Sequence, residues 1–430
     1  MSNVDGVKAK SNDFALSSVP ESQTKSGWNL AFIIIGGIVG FSVFLVSSQI
    51  GGSLGYRDAT IAFMLGGGIL GCLGAVTSYV AARSRLSTYM LTEFAFGRQG
   101  AKVANVVIAI SLIGWYAVIS NFLGQALQHV LHDILGLVIP VYLLTIIASA
   151  LMIAVTLNGF SGIDKLALAL VPFMMVFLFY AAFKSDPFST TNQLVINESA
   201  FTFKTAVSAV VGSYIAGVVI QPDYSRFTIN KKQAVWSVLI SLGVGYPIIM
   251  VLSAIPSMVA GNADLLAVMS TIGLVIPASL LLLFGSWSSN VLCLYSSALS
   301  ISTLLPKISL KRIIFTIGVV GTSLALVQAQ SYLIGFLVIL GLTIPPIGAI
   351  YCTEVLIARR HGCIIEDLGS EPAVRSIGFI SWFVGTFIGY LSQNDFVNLT
   401  SIPSLDALLA SSLLFGCVRA LQVRAMLNEK

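Results

Sequence analysis

Residues 29–50 read NLAFIIIGGIVGFSVFLVSSQI, a stretch without one charged side chain. About 20 apolar residues in helical form cross a hydrocarbon core of ~30 Å. Runs of the same kind recur along the chain, where 56% of 430 residues are hydrophobic and only 10% are charged. A soluble domain carries about 25% charged residues, because its exterior must meet water. The chain is therefore read as a polytopic membrane protein. Within the quoted stretch Gly36, Gly37 and Gly40, followed by Phe41-Ser42, lie near the middle of the apolar run. Glycines there invite local unwinding, and the freed backbone groups are tolerated only where they line a cavity or bind a ligand.

Working outward, apolar runs place twelve spans near 29–50, 59–82, 103–128, 140–158, 164–183, 203–221, 234–256, 272–300, 311–328, 332–357, 373–391 and 404–420. The positive-inside rule tests their number. With the N-terminus inside, Lys8, Lys10, Lys25, Arg83, Arg85, Arg98, Lys102, Lys165, Arg226, Lys231, Lys232, Lys307, Lys311, Arg312, Arg359, Arg360, Arg375, Arg419, Arg424 and Lys430 fall on the cytoplasmic side. Only Arg57, Lys184 and Lys204 fall outside. A wrong count would invert this bias partway along the chain. The expectation is a multi-pass protein of the inner membrane with both termini cytoplasmic. Its net charge of +5 then reflects topology, not nucleic-acid binding. The polar segment from Met1 to Gly27 lacks the apolar core of a secretory signal.

Interruptions repeat at a fixed offset. Span six carries Val211-Gly212-Ser213-Tyr214-Ile215-Ala216-Gly217 near its middle, five helices after the glycines of span one. Ile113-Gly114-Trp115-Tyr116 in span three and Phe284-Gly285-Ser286-Trp287-Ser288-Ser289-Asn290 in span eight stand in the same relation. Interruptions at corresponding places in two halves point to an inverted-repeat transporter. The expected organisation is a tail (1–28), a first repeat (29–183), a second repeat (203–357), two further helices (373–420) and a C-terminal tail (421–430). Glycine used for tight helix packing is the plain alternative for either segment alone.

Charges are scarce inside the spans: Glu93, Asp164, Asp223 and Glu354 fall at or near their cytoplasmic ends. A neutral substrate is favoured, since a charged one would normally meet an opposite charge. Cys72, Cys293, Cys352, Cys363 and Cys417 show no paired spacing, and His129, His132 and His361 do not cluster with carboxylates. Neither a disulfide framework nor a metal centre is expected. Ser288 and Ser289, with carbonyls freed in span one, could form an oxygen shell for a hard cation; a small packing face is the alternative. Trp115 and Tyr214 could sandwich a flat heterocycle while Ser213 and Asn290 bond its edge, though a mid-membrane Trp also serves packing. Pro222-Asp223-Tyr224-Ser225-Arg226-Phe227 reads as a hinge or cytoplasmic gate, with Asp223 and Arg226 as a possible pair, or as a solvated loop.

These segments, together with Leu86-Ser87-Thr88-Tyr89, Phe96-Gly97 and Ile344-Pro345-Pro346-Ile347-Gly348, resemble the bacterial cytosine and purine permeases of the nucleobase–cation symporter-1 family. The similarity runs from about Asn29 to Arg360. It implies an all-α fold of the LeuT type, a five-plus-five inverted repeat with two C-terminal helices. It also implies that Trp115 and Tyr214 stack on the nucleobase, that Ser213 and Asn290 bond its edge, and that Gly212 and Gly285 lie in its neighbourhood. Ser288 and Ser289 match a hydroxyl pair that binds sodium in sodium-coupled members, with span-one carbonyls near Gly40 and Val43. Two departures stand out: Leu112 and Gly285 occupy positions where cytosine-type members tend to carry amides. Cytosine, another pyrimidine, a purine or a related heterocycle all remain open.

The function expected is import of a neutral nucleobase by cation symport, with sodium as coupling ion, no other cofactor and no obligate protein partner. A proton-coupled permease for another flat heterocycle, or a sensor that binds without translocating, are the alternatives. An intramembrane enzyme would need a nucleophile–base pair or metal ligands at membrane depth, and the spans offer neither.

Overall fold

The computed structural model describes residues 14, 16–185, 202–260, 275–327, 333–359, 363 and 365–428. The start of span eight (272–274), position 332 of span ten, Lys8, Lys10, Arg360, His361 and Lys430 lie outside the described residues. Fifteen α-helices account for most of what is described. They are α1 (Gly27–Ile38), α2 (Phe41–Ser84), α3 (Thr88–Phe96), α4 (Gly100–Leu135), α5 (Val141–Thr156), α6 (Gly159–Lys184), α7 (Phe203–Val219) and α8 (Pro222–Ser225). There follow α9 (Lys231–Val238), α10 (Tyr246–Ala260), α11 (Val275–Leu304), α12 (Leu310–Leu326), α13 (Leu333–Ile357), α14 (Ser376–Gln393) and α15 (Pro403–Asn428).

These helices combine into twelve crossings. The first consists of α1 and the opening part of α2, separated at Val39-Gly40, where both residues leave helical geometry (Val39 φ −70°, ψ 87°; Gly40 φ −153°, ψ 170°). The 44-residue α2 carries the rest of the first crossing and the whole of the second, joined at a kink at Gly55, whose φ of 73° is left-handed. Only glycine adopts that conformation without a steric cost, so the chain turns back there. A π-helical stretch, Leu239–Gly245, joins α9 to α10 as the seventh crossing.

The interruption in span one falls at the glycine cluster. That of span six does not fall at Val211–Gly217, as the glycines suggest. Helix α7 runs unbroken to Val219 and the break comes at Ile220-Gln221, followed by the single turn α8. Proline is the cause. Pro222 has no N–H to continue the ladder, so Gln221 N bonds back to Val218 O at 3.4 Å and Asp223 N to Ile220 O at 3.0 Å, both tightened i→i−3 contacts. Ser213 leaves the ladder intact, its hydroxyl donating to Val210 O at 2.7 Å.

Two helix groups face one another. In the first, α2 packs on α7 and α10; in the second, α11 packs on α4, with α12 and α5 beside them. Helices α14 and α15 pack on each other and on α13, an added layer at the edge. Arginines from both halves meet at one end of the bundle. There Arg419 makes two 2.7 Å bonds to the buried Glu354, Arg359 lies 3.8 Å from the same carboxylate, and Arg83 donates to Arg359 O at 3.2 Å. Arg359 also pairs with Glu371, which in turn holds Arg375. At this end the segment before α1 is strapped to the loop after α8. Lys25 N donates to Phe227 O (2.6 Å) and Ile229 N to Lys25 O (3.0 Å).

Candidate substrate and cation site

A cavity lies between the two groups. Gly37 of α1 and Val43 of α2 line it, with Ser213, Tyr214, Ala216 and Gly217 of α7 on the same side. The facing wall is Leu112, Trp115 and Ile119 of α4 with Ser289, Leu292 and Cys293 of α11. Helical spacing explains each set. Positions 112, 115 and 119 share one face of α4, and 289, 292 and 293 share one face of α11, because residues three and four apart are neighbours. Ile220 and Tyr224 border the cavity where span six breaks.

Of the residues expected to hold a substrate, Trp115, Ser213 and Tyr214 come together at this cavity. Tyr214 also sits 6.0 Å, centroid to centroid, from Tyr246, whose hydroxyl lies 2.6 Å from Ser213 Oγ. Three others do not line it. Asn290 is fully buried, and its amide donates to Tyr116 O (3.1 Å) and Ser120 Oγ (2.7 Å) on α4. Following Ser289 by one residue, it is turned about 100° from the cavity face. Gly285 is a contact with span one instead of a ligand contact: a β-carbon there would stand 1.9 Å from Val39 O. Gly212 has open space around it but does not line the cavity. Ile119 is not singled out in the sequence, and Cys293 only as a cysteine without paired spacing, although each is four residues beyond a residue read as part of the site.

Next to the cavity, the span-one interruption meets the α11 serines. Carbonyls in the last turn of a helix lack intrahelical partners, and Ser289 Oγ donates to one of them, Gly37 O, at 2.7 Å. A β-carbon on Gly36 would lie 2.7 Å from Ser288 Oγ, and one on Gly40 would lie 3.0 Å from Ser289 Oγ. The carbonyl set against Ser289 is thus Gly37 O. Gly40 O accepts Val43 N (3.1 Å) and Phe44 N (3.2 Å) to start α2, while Val43 borders the cavity. The arrangement offers hydroxyl and carbonyl oxygens at the negative end of a half-helix, where a cation is favoured.

Asp223 and Arg226 are both buried at the arginine-rich end. The Asp223 carboxylate accepts Thr88 N at 3.0 Å, tying α8 to the start of α3. Arg226 reaches the main chain, donating to Asp223 O at 3.3 Å and to Phe14 O at 2.8 Å. Its guanidinium lies 4.9 Å from the Phe227 ring, which stacks on Phe160 at 3.9 Å. A solvated loop is excluded by this burial.

An interrupted first and sixth span around a cavity between two helix groups is the architecture of a membrane transporter, not of an enzyme. The chain belongs to the family described as permeases for cytosine/purines, uracil, thiamine and allantoin, which it matches over residues 18–386. It is similar to the cytosine permease of Escherichia coli K12, 27% identical over 361 residues, covering 82% of this chain and 83% of the relative. The cytosine permease of Escherichia coli O157:H7 is 28% identical over a segment of the same length and coverage. Among solved structures the fold matches Mhp1, a nucleobase-cation-symport-1 family transporter, in a closed conformation with bromovinylhydantoin bound. That match has a TM-score of 0.83 and 17% identity, covering 95% of this chain and 94% of that one. A Na+-coupled sialic acid symporter in a substrate-bound outward-open state follows at TM-score 0.70 and 14% identity, with coverage of 96% and 93%. These matches identify the all-α, LeuT-type fold with its five-plus-five repeat.

Proposed function

We propose that the chain imports a neutral nucleobase, or a closely related flat heterocycle, by sodium symport and alternating access. It would do so across the inner membrane with both termini in the cytoplasm and repeats spanning 29–183 and 203–357. The observation that carries this reading is the Ser289–Gly37 contact, which sets a hydroxyl on a freed helix-end carbonyl beside a cavity lined by Trp115 and Tyr214. The aromatic rings suit stacking on a planar ring. The scarcity of charge suits a neutral cargo. Ser288, Ser289 and the span-one carbonyls fit a hard cation, which would supply charge that moves with the membrane potential. One charge through 100 mV contributes roughly 2.3 kcal/mol, which supports on the order of fifty-fold accumulation.

Proteoliposomes carrying the purified chain, offered a panel of labelled nucleobases with and without an inward sodium gradient, test this directly. Accumulation that needs the gradient is expected. Accumulation indifferent to sodium overturns the ion assignment, and binding without accumulation overturns transport.

A further inference from the structure

Among the buried carboxyl groups that are described, Asp223 is the one left short of partners. It is fully buried at the break of span six, next to Tyr224, which borders the cavity. Its Oδ1 accepts Thr88 N at 3.0 Å, while its Oδ2 has no hydrogen-bond partner. The other buried acids are held ionised. Glu354 has Arg419 at 2.7 Å, Glu371 pairs with Arg359 and Arg375, and Asp164 has Asn29 at 2.8 Å and Lys25 at 3.5 Å. Asp406 accepts Thr400 N at 2.8 Å together with the hydroxyls of Ser392 and Thr400.

Several elements face Asp223. Tyr89 of α3 and Ser296 of α11 turn hydroxyls toward it, Tyr224 of α8 and Tyr351 of α13 stand nearby, and Arg226 supplies the charge. Arg226 stays protonated at any working pH and donates to Asp223 O, Phe14 O and Tyr295 Oη. The tyrosine hydroxyls stay neutral around pH 7. A carboxyl withdrawn from water with one oxygen unpaired neutralises in preference to staying charged. A proton on Oδ2 needs one acceptor, and Tyr89 Oη is buried without a partner. It also leaves Oδ1 on Thr88 N, so α8 stays fastened to α3. A metal ion needs several oxygens converging on one point, whereas no hydroxyl here is bonded to Oδ2.

We propose that Asp223 is a proton-binding site: Oδ2 holds a proton while α8 is fastened to α3 and α11, and gives it up to water when the arginine-rich end opens. This rests on the alternating-access reading and on the topology that puts this end in the cytoplasm. The O–H bond breaks and re-forms on the same side of the membrane, so the proton gates the step and does not drive the cargo. The closed end binds one proton more than the open one. Acid on that side therefore favours closure, by up to about tenfold in the opening equilibrium per pH unit.

Infrared spectra of the purified full-length chain read the proton directly. A protonated carboxyl has a C=O stretch that a carboxylate lacks. One such band is expected at neutral pH, shifted by aspartate with a carbon-13 carboxyl and lost in Asp223→Asn. The asparagine keeps an oxygen for Thr88 N and cannot titrate. In proteoliposomes with the arginine-rich end inward and external pH fixed, uptake of labelled nucleobase is expected to fall by up to about tenfold per unit of internal acidification. In Asp223→Asn it should be indifferent to internal pH. Absence of an isotope-sensitive acid band in the unmodified chain overturns the proton site, whether or not the variant folds. A band that persists in folded Asp223→Asn overturns its assignment. Equal internal-pH dependence in parent and variant overturns the link to opening. Absence of uptake in the parent overturns transport, and the infrared band then decides the proton site alone.

Discussion

The carbonyl oxygen of Val39 occupies the space that a β-carbon on residue 285 would need, 1.9 Å from that position. Span one can unwind at Val39-Gly40 because span eight has no side chain there. The contact is backbone against backbone, so neither partner can give way by changing rotamer. Gly285→Ala is therefore expected to shift the interruption, lowering both the melting temperature of the purified protein and its uptake. Gly68→Ala is the control: nothing lies within 4 Å of its β-carbon position, and because alanine is the better helix former the melting temperature should stay level or rise.

Trp115 and Tyr214 give the cavity its aromatic surfaces. Trp115→Ala and Tyr214→Ala should each weaken heterocycle binding by about 1–3 kcal/mol, the worth of one stacked face. Titration calorimetry would read this as a rise in Kd of roughly five- to a hundred-fold. Near-normal affinity in both variants would mean that the ring binds elsewhere.

Ser289 joins the cation reading to a single hydroxyl. Ser289→Ala removes the bond to Gly37 O and should abolish the sodium dependence of ligand binding, whereas Ser289→Thr keeps the hydroxyl and should retain it. Binding measured across a sodium series separates the two. Equal sodium dependence in the alanine variant would rule Ser289 out as a ligand.

At the arginine-rich end, Glu354 is fully buried and Arg419 is 5% exposed, joined by two 2.7 Å bonds. Breaking such a pair by removing one partner typically costs 3–5 kcal/mol, while replacing both with apolar groups is often neutral. Glu354→Leu alone should melt well below the parent, and Glu354→Leu with Arg419→Met should recover most of the loss. Thermal melts of the parent, Glu354→Leu, Arg419→Met and the double variant complete the cycle.

Much of the fold was legible because the bilayer imposes length and charge placement, and both are written residue by residue. Span one shows this: its glycines mark where the helix opens. Span six misled, since Gly212 and Gly217 are more conspicuous than Pro222, yet a glycine only permits unwinding while a proline removes a hydrogen bond. In the site, Trp115, Ser213 and Tyr214 could be picked out by residue type. Asn290 could not be assigned from type alone. Counting three and four positions from Ser289 leads to Leu292 and Cys293, and leaves Asn290 on the neighbouring face. Ile119 follows from Trp115 by the same count. The contact of Val39 with Gly285 was beyond reach, because it depends on the separation of two helix axes that no local pattern encodes.

The strap between Lys25 and the loop at Phe227–Ile229 has a mechanical consequence. It fastens the outer ends of the first and sixth spans, which are the two that are interrupted. Beyond the breaks lie α1 and α8, and two backbone hydrogen bonds couple the ends that face away from the breaks. Displacing one segment without the other would break that pair of bonds, so any movement of α1 and α8 is expected to be joint.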